Sequence, residues 1–264
     1  RRPLAGTGVV GEAKYHRKEV CFDCRCGQLR PLYRETGTCA LTDAPTPRFD
    51  LLQLDRYSNA TLQYSRGCPF RCEFCDIIVM FGRKPRVKNH EQIGRELDAL
   101  RAAGMRSVFF VDDNLIGNIP QAKSLTRFLA ECTNKHNHDF SFGTEAPLNL
   151  AQNSEVLELF REDNFGRADM GIEATDRTSV QDTPENQQPA RHNPNATRTH
   201  AANDIDVLAG FIIGFDNDTM KTFETQYQFI TDSGIQSAMI GMLTAMPRTP
   251  LYERLQKEGR LDES

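Results

Sequence analysis

From residue 60 onward the chain alternates short β-rich runs with helical patterns, and this alternation limits the fold more than any other feature of the sequence. Strands separated by helices imply right-handed βαβ crossovers, and therefore a parallel sheet. In such sheets the active site lies at the carboxyl ends of the strands. The predicted strands are TLQYS (61–65), SVFFV (107–111), FSFGT (140–144), ADMGI (168–172), VLAGFII (207–213) and SAMIGML (237–243).

Segments between the strands carry apolar positions at helical spacing. The four sets are Ile93, Leu97 and Leu100; Leu125, Phe128 and Leu129; Val156, Leu157 and Phe160; and Met220, Phe223, Tyr227 and Ile230. Asn89 and Gln92 are placed as a capping pair for the first helix, and Gly104 is placed to end it. Thr219 precedes the fourth helix and Gly234 follows it, so its two ends are predicted as well.

The stretch between the fourth and fifth strands lacks such a pattern. Between residues 181 and 204 the apolar residues are all alanines, and three prolines oppose a helix. This composition is typical of a disordered loop, so we expect residues 181–204 to be mobile and not helical. Ile172 and Phe211 would then be partly exposed, and the Glu173 side of the site would be loosened.

Polar residues follow the strands at the edge where the site is expected. A carboxylate at a strand end is also often a helix cap or a solvated loop residue, so none of them identifies a site by itself. They are the cysteine loop after the first strand, Asp112, Asp113 and Asn114 after the second, Glu145 after the third, Glu173 after the fourth, and Asp216 and Asn217 after the fifth.

Cys68, Cys72 and Cys75 form a C-x3-C-x2-C motif directly after the first strand. Thiolates suit both iron–sulfur clusters and zinc. A structural zinc site needs four protein ligands, and no fourth cysteine or histidine follows closely. Three thiolates on a four-iron cluster leave one iron open for a substrate. A cluster is therefore favoured, with zinc or unliganded thiols as the alternative.

The cysteine motif resembles the signature of the radical SAM superfamily, in which an aromatic residue stands just before the third cysteine, as Phe74 does here. The likeness covers about residues 45–261, with a gap at 177–206. Within the superfamily, the chain is similar to the cobalamin-binding group that includes hopanoid C-2 methylases. The stretches that carry this likeness are SRGCPFRCEFCDIIVMFGRKPR (65–86), VDDNLIGN (111–118), TEAPLNLA (144–151), GIEATD (171–176), AGFIIGFDND (209–218) and LTAMPRTPLYERLQKEGRL (243–261).

This resemblance implies that a [4Fe-4S] cluster binds S-adenosylmethionine and cleaves it reductively to methionine and a 5'-deoxyadenosyl radical, a chemistry that the cofactor supplies. In the superfamily a glycine motif on the fifth strand usually closes with an acid, and Asn217 stands at that position here. By resemblance, the roles are cluster ligands at Cys68, Cys72 and Cys75, an adenine contact from the backbone around Phe74, contacts to the methionine amino group at Asp112 and Asp113, a ribose contact at Glu173, and a glycine motif beside the adenine at Gly210, Ile212 and Gly214.

The fold expected from the resemblance is an α/β fold, a partial (βα)6 radical SAM barrel, over residues 56–245. Residues 1–55 are interpreted as a remnant or linker after an absent cobalamin-binding domain, because GTGVVGEAK (6–14) resembles the last strand of such a domain. Residues 246–264 are interpreted as the start of a C-terminal extension.

The resemblance also suggests methylation of an unactivated carbon on a lipid-like or small-molecule substrate. Cobalamin would carry the methyl group in full-length relatives, and flavodoxin or ferredoxin would donate the electron. Two alternatives are a radical SAM enzyme that does not methylate, and an inactive Fe–S-binding fragment.

Composition narrows the setting of this chemistry. The net charge of −4 offers no basic surface for nucleic acid. No apolar run approaches the roughly 20 residues that span a bilayer, and the start lacks the apolar stretch of a secretory signal, so we expect a cytoplasmic protein. In that compartment the eight cysteines would be free thiols or metal ligands. Cys21, Cys24, Cys26 and Cys39 could form a second metal site, although their spacing is cramped for zinc, and Cys132 is interpreted as a small core residue.

Overall fold

The computed structural model describes residues 8–10, 12, 17–34, 37–137, 140–175 and 194–261. The strands are β1 (Gly8–Val10), β2 (Leu32–Arg34), β3 (Ala60–Leu62), β4 (Ser65–Arg66), β5 (Arg86–Val87), β6 (Ser107–Phe110), β7 (Ser141–Glu145), β8 (Phe165–Glu173), β9 (Asp206–Ile213) and β10 (Ser237–Met242). The helices are α1 (Arg17–Arg25), α2 (Ile77–Met80), α3 (His90–Ala102), α4 (Ile119–His136), α5 (Ser154–Glu162), α6 (Pro194–Ala201), α7 (Met220–Ser233) and α8 (Pro250–Lys257).

A six-stranded sheet forms the centre of the described structure. Its order is β10-β9-β8-β7-β6-β3, and every neighbouring pair is parallel. Because β3 and β10 stand at opposite edges, the sheet is open and not a closed barrel. This is the predicted partial barrel, and each predicted strand is confirmed with small differences at its ends. The sheet lies within residues 56–245; the division into three segments stays a prediction.

The predicted helix signals act as expected at α3. The Asn89 Oδ1 accepts a hydrogen bond from the backbone N of Gln92 at 2.8 Å, and the Gln92 side chain accepts one from the backbone N of Asn89 at 3.0 Å. Two backbone donors at the helix start are thereby satisfied. Gly104 follows the helix with a φ of +78°, a conformation that glycine adopts without strain.

The core lies between the sheet and its helices, and stacked aromatic rings fill its centre. The ring of Phe165 lies 4.3 Å from that of Phe160 and 5.2 Å from that of Phe142, measured between centroids. Along β8, alternate residues point into this core, as expected for a strand. The intervening residues, among them Asp169 and Glu173, lie on the opposite and more open face of the sheet.

The expectation that residues 181–204 form no helix is wrong for its last part. Helix α6 occupies 194–201, and Ala196 and Thr197 are buried on it. The Thr197 hydroxyl donates to the carbonyl of Ser233 at 3.2 Å, and Arg198 donates to the carbonyl of Asp232 at 2.5 Å. A small polar helix can therefore be held by hydrogen bonds to the end of α7, without an apolar stripe. Residues 181–193 lie outside the described residues, and mobility stays a prediction.

Two consequences drawn from that expectation are also wrong. Ile172 and Phe211 are not partly exposed: they are 0% and 2% exposed, respectively. Helix α6 contacts β9 and α7, and the ring of Phe211 lies 6.2 Å from that of Phe229 on α7. Helix α7 therefore covers Phe211, and both side chains belong to the main hydrophobic core.

Helix α7 begins and ends where predicted, but most of its apolar positions face outward. Met220, Phe223 and Tyr227 are 81%, 50% and 71% exposed, respectively. The side that faces the sheet instead presents Gln226 and Phe229, and the Gln226 amide donates to the carbonyl of Ile212 at 3.2 Å. A helical period identifies an apolar face, but it does not show which neighbour covers that face.

The amino-terminal part forms a small unit of its own. β1 and β2 pair in parallel, and α1 lies between them along the chain. This is a βαβ arrangement separate from the six-stranded sheet. Within the described ranges, no helix is long and apolar enough to cross a bilayer.

Candidate active site

The cysteine loop lies at the carboxyl end of β3 and is enclosed by a short hairpin. β4 and β5 pair in antiparallel orientation on either side of residues 67–85. Inside the hairpin, the backbone N of Cys68 donates to the carbonyl of Gly82 at 3.3 Å. The motif thus occupies the edge of the sheet where an active site is expected.

Gly67 allows the chain to turn into the motif. Its φ is +95°, and a Cβ at this position would lie 2.9 Å from the carbonyl oxygen of Gly82 and 3.0 Å from that of Lys84. Both contacts involve backbone atoms, which cannot rotate away. Only glycine fits here, so Gly67 determines where Cys68 begins the loop.

Two consecutive carboxylates support the chain that leads into this turn. Asp113 Oδ2 accepts a hydrogen bond from the backbone N of Gly67 at 2.9 Å. Asp112 accepts from the backbone N of Tyr64 at 3.0 Å and also from that of Ser65. Asp112 is 0% exposed, and this burial raises its pKa to about 7.

The position of Asp112 does not fit the expected contact with a methionine amino group. Its carboxylate lies beneath the loop with both oxygens bonded to backbone, so it supports the strand end. Asp113 is half-buried, and burial raises its pKa as well. Of the two, only Asp113 is partly exposed.

The three motif cysteines are half-buried, and burial favours the protonated thiol at Cys68 and Cys75. Burial raises the pKa of Cys68, and it raises that of Cys75 to about 11. Hydrogen bonds from the backbone of Phe70 to Cys68 and of Ile77 to Cys75 oppose this effect. A metal must therefore displace protons to bind here.

Three thiols on one loop suit an iron–sulfur cluster by their chemistry. Within the described residues, no three His, Cys, Asp or Glu side chains are placed to hold one metal ion together. In a cubane cluster, each of three thiolates binds a different iron, so the sulfurs need not converge on a single point. Cys68 and Cys75 are still close enough for their charges to interact.

Phe74 packs against the chain that follows β9. Its ring lies 6.2 Å from that of Phe215, edge to face, after the end of β9. Ala174, Ile212 and Leu243 complete this small apolar cluster. The cluster joins the cysteine loop to the carboxyl ends of β8, β9 and β10, and it brings Phe74 and Ile212 together; their roles toward a cofactor stay predictions.

Helix α8 holds the loop from outside through Glu73. The Arg254 guanidinium donates to both carboxylate oxygens of Glu73, at 2.8 and 3.2 Å. The backbone N of Leu251 donates to the carbonyl of Glu73 at 2.9 Å. The same guanidinium also reaches Asp216 at 3.3 Å. The loop is therefore clamped between the sheet and α8.

Glu173 and Gly171 lie together at the end of β8. Glu173 has a φ of +59°, and the register with β9 shifts between Gly171 and Glu173. A Cβ at Gly171 would lie 2.4 Å from Oε1 of Glu173, so the glycine leaves room for that carboxylate. Gly210 pairs with Gly171 in the next strand, so no side chain covers the sheet at these two neighbouring positions.

Gly214 ends β9 in a turn that an acid closes. Its φ is +106°, and Asp218 Oδ2 accepts from the backbone N of Gly214 at 2.7 Å and of Phe215 at 3.0 Å. The acid is one residue beyond Asn217, where the resemblance places it. Sequence reasoning missed Asp218; the signal that could have found it is the group of turn-forming residues Gly214, Asp216, Asn217 and Asp218 directly after the strand.

The remaining strand-end candidates are exposed. Glu145 is exposed, although partial desolvation together with the charges of Asp169 and Asp113 raises its pKa. Asp216 pairs with Arg260 and Arg254 on the outer side, so its role is structural. Asn217 is exposed.

Cys39 is held apart from the cysteines of α1. It is 2% exposed, and its backbone N donates to Glu12 at 3.3 Å. Glu12 also pairs with Arg86 at 2.5 Å. Cys21, Cys24 and Cys26 are exposed, so the described structure does not gather the four into a metal site. Cys132 is half-buried on α4.

Sequence reasoning found the cysteines and strand-end acids but missed the residues that hold them. Glu73 and Arg254 are 181 residues apart, and neither stands out in its local sequence. The positive φ required at Gly67 had a faint signal, since a glycine directly before the first cysteine suggests a turn.

Comparisons with known proteins agree with this geometry. The sequence profile of the radical SAM superfamily matches residues 62–230. An uncharacterized methyltransferase of Synechocystis is 42% identical over 248 residues, which are 90% of this chain and 45% of that protein. The hopanoid C-2 methylase of Rhodopseudomonas palustris is 41% identical over 84% of this chain and 42% of its own length. The chain thus spans less than half the length of these relatives.

Solved structures share the fold at low sequence identity. The radical S-adenosylmethionine methyltransferase TsrM of Kitasatospora setae, with tryptophan and a SAM analogue bound, superposes with a TM-score of 0.73. It covers 95% of this chain and 54% of its own, at 14% identity. OxsB, a cobalamin-dependent radical enzyme, gives 0.68 at 19% identity and covers 95% of this chain and 44% of its own. With its motif, its open parallel sheet and these relatives, the chain belongs to the radical SAM superfamily of enzymes.

Proposed function

We propose that this chain is the catalytic core of a radical SAM methyltransferase that acts on an unactivated carbon. The observation that carries the proposal is the clamped loop with three half-buried thiols at the carboxyl end of β3. The names of the two relatives at 41–42% identity, a methylase and a methyltransferase, support the methylation step.

Cys68, Cys72 and Cys75 would hold a [4Fe-4S] cluster, and the fourth iron would remain open. A cluster with S-adenosylmethionine bound supplies a 5'-deoxyadenosyl radical when it receives one electron. The protein's part is to hold the loop, to exclude water and to orient the cofactor. Gly67 and the Glu73–Arg254 pair perform the first task, and the apolar cluster around Phe74 and Phe215 supports the second.

S-adenosylmethionine would lie across the strand ends beside this loop. Asp113 is half-buried and accepts a hydrogen bond from the backbone N of Gly67, directly before the motif. We assign it to the methionine amino group. Glu173 would meet the ribose from the end of β8. The adenine would rest on Gly210, Ile212, Gly214 and the backbone around Phe74, where small residues let it approach the backbone.

We infer that cobalamin carries the methyl group in full-length relatives of this chain; TsrM, a structural neighbour with cobalamin and a [4Fe-4S] cluster bound, supports this inference. The substrate would be a small molecule or lipid-like, and flavodoxin or ferredoxin would donate the electron. The free cysteines of the described structure support a reducing compartment such as the cytoplasm.

Anaerobic reconstitution with iron and sulfide tests this assignment. After reduction with S-adenosylmethionine present, we expect 5'-deoxyadenosine from the wild-type chain. The triple substitution Cys68→Ala, Cys72→Ala and Cys75→Ala should abolish both cluster and product. The matched control replaces Cys21, Cys24 and Cys26, which are exposed on and after α1, and should retain both.

Two results would reject the proposal. One is a full [4Fe-4S] spectrum in the chain that lacks the motif cysteines. The other is a wild-type chain that binds the cluster yet forms no 5'-deoxyadenosine, which is the result expected of an inactive Fe–S-binding fragment.

A radical SAM enzyme that does not methylate is the second candidate. It is favoured by a more distant relative, 27% identical over 74% of this chain, named anaerobic magnesium-protoporphyrin IX monomethyl ester cyclase. Both candidates share the residues around the cluster. Transfer of an isotope-labelled methyl group from S-adenosylmethionine to product would separate them.

A further inference from the structure

Asn114 contacts a sulfur of the cysteine motif from the neighbouring strand. Its Nδ2 lies 3.7 Å from Sγ of Cys68, a hydrogen-bond distance for the larger sulfur atom, which is a weak acceptor. Asn114 follows β6, whereas Cys68 follows β3, so the contact joins residues 46 positions apart. The Asn114 residue is 4% exposed, and water therefore competes little for this donor.

The surrounding turn holds the Asn114 side chain in place. The backbone N of Gly117 donates to the carbonyl of Asn114 at 3.0 Å, and Leu115 and Ile116 between them are buried. A Cβ at Gly117 would lie 3.0 Å from Cδ of Pro69 and 3.4 Å from Cγ of Asn114. Glycine at 117 thus lets the Asn114 turn pack directly against the start of the cysteine loop.

We propose that Asn114 sets the reduction potential of the bound cluster by donating a hydrogen bond from Nδ2 to the sulfur of Cys68. This inference rests on the proposed function, because it requires Cys68 to be a cluster ligand. A reduced cluster carries more negative charge on its sulfurs than an oxidised one, so a hydrogen-bond donor stabilises the reduced state more. Asn114 therefore makes the cluster easier to reduce, and it acts through Cys68 as a positioning and tuning residue.

The variants Asn114→Leu and Asn114→Asp test this role. Both keep about the same size and shape, and both remove the amide donor, while aspartate also adds a negative charge when ionised. Thr144→Val is the matched control, because it removes a fully buried hydroxyl at the end of β7 that donates to the Phe110 carbonyl at 3.3 Å.

Each chain is reconstituted anaerobically and titrated with a reductant in the presence of mediator dyes, and the reduced cluster is followed by its paramagnetic signal. We expect the ratio of reduced to oxidised cluster in Asn114→Leu to fall about tenfold at a fixed potential, which is a shift of about 59 mV for one electron. Asn114→Asp should shift at least as far in the same direction, and Thr144→Val should match the wild type.

Wild-type potentials in both Asn114 variants, or a shift to higher potential, would overturn the inference. Loss of the cluster from both variants would overturn it too, since Asn114 would then hold the loop and not tune the cluster. If only Asn114→Leu loses the cluster, the reduction potential of Asn114→Asp decides. A wild-type chain that takes up no cluster would instead reject the proposed function on which this inference rests.

Discussion

Replacing Gly67 by alanine should disturb the cysteine loop far more than its small size suggests. The new methyl group would lie 2.9 Å from the Gly82 oxygen and 3.0 Å from the Lys84 oxygen, and the residue would keep a φ of +95°. To relieve this contact, the hairpin of β4 and β5 must separate. Cys68 would then move away from the other two cysteines, and the cluster would lose one ligand.

The cost has two parts. Holding an alanine in the left-handed region costs about 1–2 kcal/mol. Separating the hairpin also breaks the bond from Cys68 N to Gly82 O, worth about 1 kcal/mol, and the bond from Gly67 N to the Asp113 carboxylate, worth about 2 kcal/mol. We therefore expect Gly67→Ala to cost about 4 kcal/mol, part of it as local opening of the hairpin.

Gly104→Ala is the matched control. Gly104 has a φ of +78°, but no atom lies within 4 Å of a Cβ built there. It should lose only the conformational part, about 1–2 kcal/mol. The difference between the two variants isolates the contact with the hairpin. Urea unfolding followed by circular dichroism measures the stability, and iron per chain after reconstitution measures the cluster.

Gly67→Ala should be the less stable of the two and should bind severalfold less iron than Gly104→Ala. Equal stability and equal iron content in the two variants would refute the reasoning. A Gly67→Ala chain with normal iron but low stability would show that the hairpin relaxes without moving Cys68.

Three further predictions concern the supports of the loop and the buried charges. Arg254→Ala should cost only about 1 kcal/mol of unfolding free energy, because its pair with Glu73 is partly exposed; hydrogen exchange in the loop should nevertheless become faster, and unchanged exchange would contradict the clamp. Lys88→Met should cost about 3–5 kcal/mol, because it leaves Glu96 charged and buried; the double variant with Glu96→Leu should recover most of this loss in denaturant unfolding, and a double variant no more stable than the single one would speak against the pair. Burial raises the Asp112 pKa from 3.8 to about 7, so the folded state keeps a proton that the unfolded state releases, and stability falls as pH rises from about 4 to 7. Asp112→Asn should remove this part of the pH dependence, and parallel stability profiles of variant and wild type would rule it out.

The sequence alone determined the features that depend on neighbouring residues. The alternation of strands and helices predicted the parallel sheet, and Asn89 with Gln92 predicted the start of α3. The position of the three cysteines directly after the first strand also predicted that their loop lies at the carboxyl end of the sheet. Each of these signals lies within a few residues, because strand period, helix capping and ligand spacing are local properties of the backbone.

Tertiary structure alone decided which surfaces meet. The outward turn of Met220 on α7 could not be foreseen, since periodicity defines a face but not its cover. Helix α6 forms although its sequence lacks an apolar stripe, because the end of α7 accepts its hydrogen bonds. The fold brings Asp112 to the backbone of Tyr64, 48 residues away, and Arg254 to Glu73, 181 residues away. Such long-range pairs leave no trace in local sequence, so the residues that hold the site became visible only once the chain had folded.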